Sequence, residues 1–474
     1  MTDPHVPHVV IGPRVAVVGG GVSGLAAAYR LRRLLPPGAR ITVLEGSSRL
    51  GGALRTTELA GVPFDVGAEA FLVRRREATA LITELGLGAE LVGPTAARPA
   101  VRAGGRTVPL PSRTVLGLPG APDDVADVLS PEGLARVAAE PGTPLRWEPG
   151  SDPAVGALLR SRAGDELVDR LVDPLLGGVY AGRADGLGLR ATLPAVATAL
   201  DHGAPSLLAA AATVLPAPEA PRTPVFGTLR GGLDHLVDVL VQASGATVRR
   251  GLPVRVLSRR EHGWRLELGS ATSPEALDVD AVLLAVPAPA LRRLLADPVP
   301  RAAAAAARVE VASSVVVGLA LPACAAVPES SGVLIASGEP YTAKAFTFSS
   351  RKWEHLRGPG VLLVRGSLGR HGEVAALQRD DAELVAAVRA DLAALTGVGA
   401  EPVATVVSRW GGGLPQYAPG HLDVVATIEK AVAAEPGLAV AGATLHGVGI
   451  AACIATADAA ADRIATHLAA RVGG

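Results

Sequence analysis

The sequence predicts an α/β protein with three parts: a discontinuous, Rossmann-like nucleotide-binding domain, a second domain on a mixed sheet that forms the substrate side, and a mostly helical insertion. Three observations carry this. The β-branched run at 14–18 ends in Gly19-Gly20-Gly21-Val22-Ser23-Gly24 and passes directly into LAAAYRLRRLL, which is the order strand, glycine turn, helix. Two strand-like segments return far downstream, DAVLLAVPAPAL at 280–291 and GLAVAG from residue 437, so one domain is built from separated pieces of chain. Alternating runs such as VEVASSVVVGLAL and KAFTFSS supply a second sheet.

Composition sets the limits. With 474 residues, 49% hydrophobic and 19% charged, the chain is large enough for more than one core and too apolar to be disordered. Lys+Arg and Asp+Glu are equal at 45, leaving no net field to hold a polyanion and arguing against nucleic acid as a partner. The two cysteines, Cys324 and Cys453, stand outside any CxxC, which argues against a disulfide framework, a thiol pair or a zinc ribbon and suits a reducing cytoplasm. The opening MTDPHVPHVVIGPR has neither a basic start nor a long apolar core, so it does not read as a secretory signal, and His5 and His8 read as part of a tail rather than a ligand pair. Charge-free stretches at 311–328 and 438–457 are interrupted by prolines and glycines, and read as a strand and as strand, turn and helix rather than as membrane spans. Only Lys344, Lys352 and Lys430 are lysines; the excess of arginine reads as coding bias rather than as widespread anion binding.

The elements follow in order. In the first turn Gly19 permits the tight bend, Gly21 lets the backbone approach a pyrophosphate and Gly24 lets helix and strand pack, with Gly20, Val22 and Ser23 completing the loop beneath the helix dipole. The next strand, ITVLE, places Glu45 24 residues after Gly21, where an acid accepts from a ribose 2′-OH; an unphosphorylated ribose, as in FAD or NAD, is favoured over NADP. The following Gly46 and GSSRLGGALRT, with Arg49, Gly51, Gly52 and Ala53, are similar to the second motif of the amine-oxidase-like flavoproteins, where RxGG wraps the pyrophosphate side of FAD. FDVGAEAF at 64–71, holding Gly67, Ala68, Glu69 and Ala70, resembles the segment along the flavin ring in the same superfamily. These two segments select FAD over NAD.

Residues 93–190 are rich in proline and short amphipathic runs, without a strand pattern, and read as the helical insertion; LPSRTVLGLP at 110–119 joins a basic residue to an apolar patch and suits either a membrane surface or packing on the protein body. Strands return near Val248, Val254 and Trp264 and at 280–291. Residues 191–225 and 295–433 read as the second sheet. The last return runs from strand through Val448, Gly449 and Ile450 into an Ala-rich helix whose N-terminus would face the pyrimidine edge of a flavin. The FAD domain is thus assigned to 1–92, 226–294 and 434–474.

Four segments together resemble the FAD-dependent porphyrinogen oxidases of haem synthesis, in particular the bacterial branch that acts on coproporphyrinogen III: GGGVSGLAAAYRL with LEGSSRLGGALRT, GAEAFLVRRREA, LVDPLLGGVYAGRADGLGLRATLP, and RWGGGLPQYAPGH followed by GVGI. The first pair is common to amine-oxidase-like flavoproteins; DPLLGGVYAG and LPQYAPGH are narrower. The resemblance implies FAD contacts from Gly19 to Gly24, Glu45, Gly46, Ala53, Gly67 to Ala70, Val254 beside the adenine, Trp410 and Val448 to Ile450. It implies a substrate propionate at Arg75, with Arg74 able to share or take that role, and a porphyrinogen plane lined by Gly178 and Tyr180. The sequence departs from relatives at His446, where an acid or amide is common, and at Ala68, where proline is common. The implied reaction is a six-electron oxidation with three O2 consumed and three H2O2 released. It demands no catalytic acid or base from the protein, because the cofactor carries the chemistry. Protoporphyrinogen IX as substrate, an amine-oxidase or carotenoid-desaturase-like activity, and a non-catalytic carrier stay open beside it. The cysteine usage and the opening residues read as cytoplasmic; the 110–119 segment leaves open a peripheral contact with the inner face of the membrane, and a transient contact with the next haem-pathway enzyme stays open as well.

Overall fold

The computed structural model describes residues 12–217, 224–357 and 360–472, so the N-terminal tail with His5 and His8 lies outside the described residues. A five-stranded parallel sheet organises the first domain, in the order Thr247–Arg250, Arg40–Glu45, Arg14–Val18, Ala281–Leu284, Leu438–Val440. Its central strand is apolar without alternation because both faces are covered. Val15 and Val17 point into a layer formed by the helices Val22–Leu34, Asp234–Ser244 and Ile450–Val472. Ala16 and Val18 point the other way, into the antiparallel sheet at 254–279 and the helices Ala288–Leu295, Pro300–Ala306 and His421–Ala433. The last two of these helices were grouped by sequence with the second domain; they pack here.

The second sheet has seven strands, in the order Ala404–Pro415, Val311–Pro322, Val361–Leu368, Ala343–Phe348, Gly332–Ile335, Ala100–Ala103, Arg106–Pro109. One face packs Phe346, Phe348 and Val364 on Leu384, Val388 and Leu392 of the helix Asp381–Thr396. Leu363 and Ala320 on the other face meet Leu59 and Phe64 of the first domain. The two domains are therefore joined through the segment that precedes Gly67.

Two expectations need correction. The 93–190 stretch begins with two strands that extend the second sheet, closed by Gly104 and Gly105 at φ 56° and 72°, the geometry of a two-residue hairpin turn. Residues 191–225, expected in the sheet, supply the helices Pro194–Asp201 and Leu207–Val214; proline at the first helical position and the Ser206 hydroxyl, which accepts from the Ala209 N–H, start them. These helices pack with Pro131–Ala139, Val155–Ala163 and Asp173–Tyr180 into a separate helical layer. The 110–119 segment packs Val115, Leu116 and Leu118 into that layer. Among the described residues no helix is long and apolar enough to cross a membrane.

Candidate functional site

At the first glycine turn the three motif glycines have different surroundings. A Cβ on Gly19, which sits at φ +107°, would lie 2.2 Å from the Ala285 carbonyl oxygen, and one on Gly24 only 1.9 Å from the Gly19 carbonyl oxygen. Gly21 is open: its Cβ would meet nothing closer than the Gly52 Cα at 3.7 Å. The helix that follows has no side-chain cap and no acid in its first turn, so the N–H groups of Val22, Ser23 and Gly24 are left to an outside acceptor. An uncapped helix start beside an open backbone cradle is what a pyrophosphate requires, and the residues present fit a dinucleotide.

The RxGG turn is laid against this cradle. The Gly51 N–H donates to the Gly20 carbonyl at 2.8 Å, and Gly52 and Ala53 are exposed beside it. Arg49 does not point into the opening: its guanidinium donates to the carbonyls of Leu50, Leu54 and Gly52 at 2.9, 3.2 and 2.6 Å and lies over the Trp410 ring, so it shapes the turn. Glu45 accepts from the N–H groups of Gly20 and Ser47, both at 2.8 Å, which fixes the carboxylate at the strand end with lone pairs to spare. Gly46 lies against Pro253, and the Leu252 N–H donates to the Glu45 carbonyl, so the second chain segment brings the buried Val254 alongside the acid.

Further along, a Cβ on Gly67 would lie 2.0 Å from the Ala53 carbonyl oxygen and 3.1 Å from the Trp410 ring. The Trp410 indole donates to the Val66 carbonyl at 2.8 Å. Ala68 donates its N–H to the Ala53 carbonyl at 2.9 Å, a bond that a proline there would lack. Glu69 is held by Lys352 and, at 3.7 Å, by Arg365; burial alone would raise its pKa, but these two cations outweigh it and hold the carboxyl below its usual range. Arg365 also donates to the carbonyls of Asp65 and Gly67, at 2.9 and 2.7 Å, tying the second sheet to this segment, whose end, Ala70, is half-buried. Burial pushes Asp65 up to about 6 against hydrogen bonds from Thr56 and Leu233.

The C-terminal turn closes the opposite side. Tyr417 donates its O–H to the Ala443 carbonyl at 2.5 Å, stacks on His421 at 3.9 Å, and His421 Nε2 donates to the Leu445 carbonyl at 2.9 Å. Gly449 is exposed with nothing within 4 Å of its Cβ position, and Ile450 is buried in the first domain. His446 pairs with Glu429 at 2.7 Å, away from the cradle and exposed. Val448 packs against the helical layer that holds Tyr180, whose ring lies 5.4 Å from that of Tyr417. This is how the LPQY segment joins the turn to the helix Asp173–Tyr180. Burial pushes Tyr180 up to about 12, so it is a neutral wall at physiological pH. Gly178 and Val179 are exposed on the same helix.

Arg74 and Arg75 stand apart. Both are exposed at the start of the helix Arg76–Glu84, Arg75 faces Glu77 at 3.9 Å, and neither forms a hydrogen bond or ion pair with the Gly178–Tyr180 segment. The structure gathers other residues that sequence reasoning passed over: Asp173, Lys344, Lys352, Arg365, Arg370, Gln416 and Tyr417. The buried Asp173 accepts from the Ala184 N–H at 2.7 Å and from the Ser337 hydroxyl, and Gln416 donates to the Tyr180 carbonyl at 2.8 Å. One signal for them existed, since Lys344 and Lys352 are two of only three lysines in an arginine-rich chain.

The profile of the flavin containing amine oxidoreductases matches residues 22–465. The chain is 47% identical over 455 residues to a protein of Mycobacterium leprae named coproporphyrinogen III oxidase, covering 96% of this chain and 98% of that one. It is 46% identical over 456 residues to the Mycobacterium bovis protein of the same name, with the same coverage. A solved structure from Exiguobacterium sp. 255-15, provisionally named a protoporphyrinogen oxidase, superposes with a TM-score of 0.84 at 31% identity, covering 96% of this chain and 99% of that one.

Proposed function

The chain belongs to the flavin-containing amine oxidoreductases and uses FAD, and from that premise we propose that it oxidises coproporphyrinogen III to coproporphyrin III, with three O2 consumed and three H2O2 released. The observation that carries the reading is full-length similarity to relatives bearing that name, extending through the helix Asp173–Tyr180 that stands beside the C-terminal turn.

Bound FAD supplies the two-electron oxidation, three rounds of which make the macrocycle aromatic. The chain's own residues supply place and surroundings. Gly21 and the N–H groups of Val22 to Gly24 would hold the pyrophosphate, with Gly19 and Gly20 setting the bend. Glu45 would accept from the ribose hydroxyls, and Gly46 and Val254 would hold the adenine end. Arg49 holds Gly52 and Ala53 in the shape that admits the phosphates. Gly67, Ala68, Glu69, Ala70 and Trp410 would hold the flavin from one side, and Val448, Gly449 and the helix starting at Ile450 would hold it from the other. Gly178, Val179 and Tyr180 give the porphyrinogen a flat wall without a charged side chain, which suits a neutral macrocycle carrying its charges on peripheral carboxylates. The resemblance assigns an outer propionate to Arg75, with Arg74 able to share or take that role, although both stand apart from the Gly178–Tyr180 segment; Arg75→Ala is expected to raise KM with flavin content unchanged.

The test is growth of porphyrin fluorescence with FAD-loaded protein in air, given coproporphyrinogen III, protoporphyrinogen IX or an amine. Faster turnover of coproporphyrinogen with about three H2O2 per product supports the reading. Preference for protoporphyrinogen IX, the substrate in the name of the Exiguobacterium neighbour, moves the substrate assignment. No fluorescence from either porphyrinogen ends it.

A further inference from the structure

One wall of the site carries cations that the FAD cradle does not use. Arg370 is 8% exposed, and its Nη1 is buried without a hydrogen-bond partner, although such groups are almost always satisfied in a folded protein. The nearest acid, Asp173, lies 3.6 Å from that nitrogen and already accepts from Ala184 and Ser337. Gly177 is what lets the guanidinium lie on the helix, since a Cβ there would fall 2.5 Å from Nη1. The neighbouring Gly178 is exposed, and its Cβ position meets only Leu334 at 3.9 Å, so the wall is open beside the buried charge.

Lys344 comes to the same place from the second sheet. Its strand has a register shift between Ala343 and Ala345, so Lys344 occupies a bulge, a device that re-aims a side chain. Its Nζ donates to the Gly369 carbonyl at 2.7 Å, one residue from Arg370, and none of the ion pairs among the described residues includes it. Burial, then the charge of Arg370, with a smaller push from Arg365 against the pull of Glu373, brings its pKa down to about 7. Glu373 pairs with Arg183 at 2.8 Å and accepts from the Arg370 backbone N–H at 3.2 Å, and it forms no ion pair with Lys344.

We propose that Arg370 and Lys344 form a carboxylate-binding subsite beside Gly178, which takes one propionate of the porphyrin; the proposal rests on the porphyrinogen reading above. A carboxylate there pairs with the Arg370 guanidinium, supplies the anion that Lys344 lacks, and orients the macrocycle by a charge-assisted pair at one corner.

The experiment titrates FAD-loaded protein with coproporphyrin III and with its tetramethyl ester, reading the porphyrin absorbance shift, with flavin content followed at 450 nm. Lys344→Met and Arg370→Gln are each expected to weaken binding of the acid about 10-fold to 100-fold. Neither is expected to change binding of the ester or flavin content. Wild-type affinity for the acid in either variant, or an equal loss for acid and ester, overturns the subsite while leaving the porphyrinogen reading intact. A wild-type protein that binds neither compound and oxidises neither porphyrinogen overturns that reading and the subsite with it. If Arg370→Gln does not fold because Asp173 loses its nearer cation and keeps only Arg183 at 3.9 Å, Lys344→Met decides, since it removes a buried charge without taking a partner from an acid.

Discussion

The glycine turn offers a prediction in which folding and cofactor binding separate. In Gly24→Ala the new methyl lies 1.9 Å from the Gly19 carbonyl oxygen. Ordinary contact needs about 3.4 Å, so the helix start has to retreat by roughly 1.5 Å from a strand buried on both faces. Overpacking of this size against backbone costs about 3 kcal/mol, near a hundredfold in the folding equilibrium. In Gly21→Ala the methyl meets nothing closer than 3.7 Å, and the backbone at φ −78° and ψ 179° suits alanine. Its cost to the protein without FAD is at most about 1 kcal/mol, yet the methyl fills the cradle and is expected to weaken FAD about 10-fold to 100-fold through lost charge-assisted hydrogen bonds. The assay is thermal unfolding with and without added FAD, alongside flavin fluorescence titration. Gly24→Ala should lower the midpoint in both conditions; Gly21→Ala should match the parent without FAD and fail to gain from FAD. A Gly21→Ala protein with parental flavin affinity, or a Gly24→Ala protein with parental stability, would refute the assignment of roles.

Three further outcomes are expected. Asp65, pushed up to about 6 by burial, binds a proton in the folded state over a range where the unfolded chain has released it, so its contribution favours folding below about pH 4 and is lost as pH rises through 6. Asp65→Asn keeps an acceptor for Thr56 and Leu233, and should raise stability above pH 7 by up to about 3 kcal/mol and flatten the dependence between pH 4 and 6, checked by urea unfolding across pH. Glu69→Gln leaves Lys352 and Arg365 without their shared carboxylate and should destabilise the protein by about 3 kcal/mol, read from the same curves. Tyr417→Phe deprives the Ala443 carbonyl of its donor and should cost about 1 kcal/mol, with faster flavin release in stopped-flow dilution.

What was legible in the sequence was local. The turn at 19–24, the strand ending in Glu45 and the final strand, turn and helix are each written in consecutive residues whose propensities agree. The Gly104-Gly105 hairpin is equally local, but its proline-rich flanks obscure a strand of four residues. The segment 194–214 alternates like a sheet yet folds as helices, whose starts Pro194 and Ser206 mark. The cationic wall was not legible by any such rule. Lys344, Arg365 and Arg370 reach the site by strand register, a bulge and a contact with a helix some 190 residues earlier in the chain; the rarity of lysine sets Lys344 apart, and nothing in their neighbouring residues distinguishes the two arginines from those on the surface.

The five-stranded sheet takes its strands from residues 14–18, 40–45, 247–250, 281–284 and 438–440, and its helical cover includes residues 450–472. During synthesis the strand that carries the glycine turn therefore waits, with its alanine-lined helix uncovered, until more than four hundred further residues have emerged. Closing contacts of such sequence separation makes folding slow and leaves apolar surface open to association in the interval. On the proposed placement of FAD against residues 448–450, full affinity waits for that last segment to dock, so the cofactor stabilises the finished protein by mass action rather than guiding early steps.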